Sequence, residues 1–64
     1  MQEFQQRVVL EHDELTVRLT ALSKFINQLP AFTQLPEDEQ TRLRLQAGTM
    51  NKYAQILEQR IAHF

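Results

Sequence analysis

Two apolar seams, each stepping alternately by four and three residues, constrain this chain more than any other feature. The first runs through Val8, His12, Leu15, Leu19, Leu22, Ile26 and Leu29, with His12 its single polar member. The second runs through Leu43, Ala47, Met50, Ala54, Leu57, Ile61 and Phe64. Such steps keep side chains on one face of an α-helix, and a seven-residue rhythm is that of helices packed along their length. Pro30 cannot continue a helix and disfavours helical geometry at Leu29, so the first seam must end there. The second helix opens at Leu35-Pro36, where proline suits the first helical position. Glu37, Asp38 and Glu39 follow and complement the positive end of the helix dipole.

The spacing therefore predicts one domain over 1–64: a helix over about 2–29, a connection over 30–35 and a helix over about 36–63. A single glycine leaves almost no hairpin-turn chemistry, which argues against β structure. A link this short makes the helices antiparallel neighbours, each about 40 Å long at 1.5 Å per residue. Phe32 and Leu35 are expected to plug the turn end. Ala47, Gly48 and Ala54 are small enough for close helix approach, although Gly48 also reads simply as a tolerated helix glycine costing about 1 kcal/mol.

One such hairpin has more apolar surface than it can cover. Leu10, Val17 and Ala21 flank the first seam, Phe4 and Phe25 lie nearer its centre, and the apolar arc spans roughly 200°. Leu45 and Ile56 lie outside the second seam. The chain is short for a full core and has no cysteine to staple it. Exposed patches of this size mark interfaces. The fold class expected is thus all-α, an antiparallel two-helix hairpin assembling into an oligomeric helical bundle of two or more copies.

Composition removes several functions. Seven Lys+Arg against eight Asp+Glu give a net charge of −1, without the basic stripe that DNA or RNA binding needs. No apolar run is long enough to span a membrane, and no basic-then-apolar leader pattern is present, so a cytoplasmic location is expected. No nucleophile stands beside a plausible base, and no glycine-rich phosphate loop exists, so neither an enzyme nor a catalytic residue is expected. His12 and His63 could approach across the hairpin, but two histidines without cysteine are weak support for a metal, and neither a metal site nor a cofactor is expected. The plainer reading of His12 is a subunit contact that titrates near neutrality.

Two strips remain. On the first helix Glu3, Arg7, Glu11, Glu14 and Arg18 fall within roughly 80° of one another at 3.6 residues per turn. Glu3–Arg7 and Glu14–Arg18 have the favourable i,i+4 order. The strip reads as salt bridges that set register, or as arginines awaiting an anion. On the second helix Arg42, Thr49, Tyr53, Ile56 and Arg60 combine a ring, a hydroxyl and guanidinium forks, as a nucleotide requires. Tyr53 as an interface aromatic beside ordinary ion pairs is the alternative. Lys24, Arg44 and Lys52 read as solvated charges. The ligand-binding candidates are Phe4 and Tyr53 for base stacking and Arg7, Arg18 and Arg60 for phosphate.

The run Phe4-Gln5-Gln6-Arg7-Val8, the run Leu22-Ser23-Lys24-Phe25-Ile26 and the stretch from Gln46 through Met50 and Tyr53 to Leu57-Glu58-Gln59-Arg60-Ile61 resemble a family of small phage proteins related to crAss-phage sequences. That family is similar to phage anti-CBASS sponges. The resemblance implies a homo-oligomer, a hexamer in the known sponges, that sequesters a cyclic di- or trinucleotide second messenger between subunits without cleaving it. The alternative is a hairpin module for protein–protein interaction or assembly that takes no nucleotide.

Overall fold

A computed structural model describes all residues, 1–64. Helix α1 spans Glu3–Gln28, a single-turn helix α2 spans Pro30–Thr33, and α3 spans Glu37–Ala62. No strand forms, and α1 and α3 lie against one another as an all-α hairpin. The molecule is a rod of 45 × 15 × 14 Å.

Local chemistry sets each boundary. At the start of α1 the Gln2 N–H donates to Gln5 Oε1 at 2.9 Å, which satisfies one of the helix's free donors. At its end Leu29 is extended (φ −100°, ψ 129°), as a residue before proline must be. Pro30 then opens α2 at its first position, where a missing N–H costs nothing. The connection expected over 30–35 is thus partly helical. Pro36 does not open α3 as predicted; it caps the helix with an extended backbone (φ −55°, ψ 147°), and its carbonyl accepts from the Gln40 N–H at 3.0 Å. The Gln40 side chain reaches back to the Leu35 carbonyl at 2.9 Å and the Thr33 carbonyl at 3.3 Å, tying the connection to α3.

The two seams face one another. Val8, Ala54 and Leu57 are buried, and Leu15, Leu19, Leu22, Ile26, Leu43, Ala47, Met50 and Ile61 are half-buried. Both seams open at their last members, with Leu29 45% and Phe64 43% exposed. Phe32 is the expected plug: it is fully buried, with its ring edge-on to Phe25 at 6.0 Å. Arg44, read from sequence as a solvated charge, instead sets its guanidinium 4.8 Å above the Phe32 ring. Gly48 serves no close approach, since a Cβ there would meet nothing within 4 Å.

Only four residues are buried: Val8, Phe32, Ala54 and Leu57. The accessible surface is 4984 Å² for a 7.6 kDa chain. A compact monomer of that mass would expose about 4,300 Å². Much of the difference is the rod shape, and large side chains make up part of it: Leu10, Val17, Leu45 and Ile56 are 59, 71, 66 and 49% exposed.

Candidate ligand-binding face

The hairpin has two long sides, and two contacts identify them. On one side His12 Nε2 meets Glu58 Oε2 at 3.0 Å, the only side-chain hydrogen bond joining α1 to α3. On the other side Phe4 and Phe64 pack edge to face at 6.3 Å. At about 100° per residue, Arg7 and Arg18 of α1 and Tyr53 and Arg60 of α3 project from the same side as the Phe4–Phe64 pair. All five predicted ligand residues therefore share one face, and the charged strip of α1 lies beside the aromatic strip of α3.

Register divides these five into two groups. The His12–Glu58 and Phe4–Phe64 contacts place Arg7 nearly level with Arg60 at the open end, beside Phe4. Arg18 is nearly level with Tyr53, about 14 Å further along at 1.5 Å per residue. Glu11 and Glu14 lie between the groups on α1. A small ligand on one chain would reach one group and not both.

Their electrostatic states differ. Arg7 Nη2 is held by Glu3 Oε1 at 2.6 Å, although both side chains are more than 70% exposed. The matching Glu14–Arg18 pair does not form, and neither Arg18 nor Arg60 has a carboxylate within 4 Å. Arg42 is held at both ends, by Glu39 at 2.8 Å and Asp38 at 3.3 Å. The Thr49 hydroxyl donates to the Leu45 carbonyl at 3.0 Å. Tyr53 is 41% exposed and makes no side-chain hydrogen bond. Arg18, Arg60 and Tyr53 are thus the groups with unused capacity.

This face is not enclosed. The one concavity of the chain lies on α1 alone, lined by Leu19, Thr20, Ser23, Lys24, Asn27 and Gln28, and it includes none of the five. His12 and His63 do not pair as their positions allowed; the His63 ring turns to the Gln59 carbonyl at 2.7 Å. No three His, Asp or Glu side chains gather as a metal site would require. His12 is instead bracketed by two carboxylates, Glu58 and, through Nδ1, Asp13 at 3.2 Å. The hydrogen bond to Glu58 and then that to Asp13 push its pKa above the ordinary 6.5. Sequence reasoning missed Glu58, which follows the seam residue Leu57 and so stands opposite His12 once the seams are in register.

A family profile described as Sequestin matches residues 2–63. The chain belongs to the Sequestin family. One relative is a 7.5 kDa protein from the denB–rIIB intergenic region of Enterobacteria phage T4, 41% identical over 64 residues, covering 100% of this chain and 98% of the relative. No solved structure matches. A Sequestin chain is thus similar along its whole length to a small phage protein, which supports the phage kinship read from the sequence but does not extend it to crAss phages. No helix of this Sequestin-family member is long and apolar enough to cross a membrane.

Proposed function

We propose that this protein is an oligomeric sponge that holds a small nucleotide signal between its copies and does not cleave it. Cyclic di- and trinucleotide second messengers, as used in CBASS defence, are the first candidates. The observation that carries this reading is the gathering of Phe4, Arg7, Arg18, Tyr53 and Arg60 on one face, with Arg18, Arg60 and Tyr53 free of partners within the chain. Guanidinium forks suit phosphate oxygens, and an exposed ring suits a base. The family name denotes sequestering, and the phage relative fits a role in evading host immunity within the bacterial cytoplasm.

A single hairpin offers these groups on an open surface, so a second copy must close the site. A net charge of −1 is no obstacle, because a small ligand needs only a few local cations. The arrangement provides binding groups and no nucleophile–base pair, so release by denaturation should return the ligand intact.

Titration calorimetry of the full chain against a panel of cyclic and linear nucleotides tests this. Saturable heat is expected for at least one member, weakened about tenfold or more by whichever of Arg18→Ala and Arg60→Ala removes the arginine of the group that holds it, in line with the worth of a charge-assisted contact. Flat isotherms across the panel would overturn the reading. Cleaved ligand in the released fraction would replace a sponge with an enzyme.

A further inference from the structure

The four large aliphatic side chains that the two long helices leave exposed, Leu10, Val17, Leu45 and Ile56, are not scattered. On α1, Leu10, Glu14, Val17 and Ala21 step by four, three and four residues along the outer face. On α3, Leu45, Thr49, Lys52 and Ile56 step in the same way. All eight are exposed in the single chain. Each long helix therefore carries a second ridge, turned away from the seam that closes the hairpin.

From these two ridges we infer that the outer ridge of α1 packs antiparallel on the outer ridge of α3 from a second copy of this chain, head to tail, so that copies close into a ring. Every layer falls into register at once. Leu10 meets Ile56 of the next copy, Glu14 meets Lys52, Val17 meets Thr49 and Ala21 meets Leu45. The inner seams use the same alternation, so the intermolecular contact repeats the packing rule of the hairpin itself. Charge supports this occupant: Glu14 and Lys52 have no ion-pair partner within the chain and become partners only between copies. Beyond Ala21 the ridge brings Lys24 to Arg42, whose charge Asp38 and Glu39 already balance.

The ridges also set the curvature. At about 100° per residue, the outer ridge lies roughly 140° from the inner seam on both α1 and α3. Both are displaced toward the side that bears Phe4 and Phe64. Successive copies therefore bend toward that side by on the order of 80° each. A row of copies curls up, with the candidate ligand face on the inside. The contact is heterologous and leaves no unused ridge once closed.

This inference builds on the self-association in the proposed function and not on its ligand. Sedimentation velocity and native mass spectrometry of the full chain test it. The expected species is a closed assembly of three or more copies. Leu10→Glu should leave single chains with unchanged helical circular dichroism, because Leu10 lies outside the buried core and is 59% exposed in the single chain. Glu14→Lys and Lys52→Glu should each raise the half-assembly concentration about tenfold, and an equimolar mixture of the two should restore assembly. A wild-type protein of one or two copies at micromolar concentration overturns the ring, as does failure of the mixture to recover. An intact ring that binds no nucleotide would remove the sponge and leave the ring. A single chain that binds nucleotide would do the reverse.

Discussion

The two ends of the hairpin carry the same kind of contact with opposite burial. At the turn end Phe25 and Phe32 meet edge to face at 6.0 Å, and at the open end Phe4 and Phe64 do so at 6.3 Å. Phe32 is fully buried, whereas Phe4 is 59% and Phe64 43% exposed. Connectivity accounts for the difference. The chain turns around Phe32, so α2, α1 and α3 surround it and Arg44 covers it. At the open end two helix termini merely pass each other. The ring that the fold encloses belongs to stability, while the rings it leaves open are available to a ligand or a second copy.

The largest expected effect breaks the closed end. Phe32→Ala should remove about 3–5 kcal/mol of stability, the usual cost of deleting a buried aromatic side chain. In a chain with four buried residues that is most of what holds the hairpin. Urea denaturation followed by circular dichroism, at fixed protomer concentration, should show a fully or largely unfolded variant. A loss below about 1 kcal/mol would show that association, and not the turn plug, holds the hairpin closed.

The middle of the rod yields a second, pH-dependent effect. Because Glu58 and Asp13 raise the pKa of His12, its protonated form favours the folded hairpin. That contribution is complete below about 6.5, the unfolded value, provided both carboxylates are ionised, and is lost as pH rises through the folded pKa. Stability should therefore fall across the neutral range in the wild type, and Glu58→Gln should flatten the profile. Denaturation midpoints measured at closely spaced pH values read this directly. An unchanged slope in Glu58→Gln would mean that another group carries the proton linkage.

Most of the fold was legible because it rests on periodicity. The seam residues Val8, Leu15, Leu57 and Ile61 could be read from their spacing, and Pro30 stopped α1 where proline chemistry requires. What escaped was what periodicity does not encode. The seams gave the layers but not the neighbours just off them, so Glu58 was overlooked as the partner of His12. Arg44 looked solvated because its position faces away from the seam, yet the turn carries Phe32 beneath it. The candidate ligand residues stand out by their chemistry on each helix separately. That they share one side follows from the handedness of two antiparallel helices. Their split into two levels follows from the register, which required the cross-helix contacts. Glu14–Arg18 had the right spacing, but exposed partners at i,i+4 gain only about 0.3–0.5 kcal/mol, too little to fix two long side chains.

The smallest effect sharpens the comparison at the open end. An edge-to-face aromatic pair contributes about 0.5–1.5 kcal/mol beyond its buried area. Phe4 and Phe64 are each about half exposed, so their coupling should lie at the low end of that range. A double-mutant cycle with Phe4→Ala and Phe64→Ala, read by urea denaturation, isolates the pair from the separate loss of each ring. The expected coupling is about 0.5 kcal/mol, several-fold below the cost of Phe32→Ala. The same variants should depart from that ordering in binding. If the open rings serve the ligand, Phe4→Ala weakens nucleotide binding well beyond its effect on folding, while Phe64→Ala does so less, because Phe64 only positions its neighbour. Equal losses in folding and binding for both variants would make the open end a frayed copy of the closed one, and the ligand face would then have to be sought around Arg18 and Tyr53 alone.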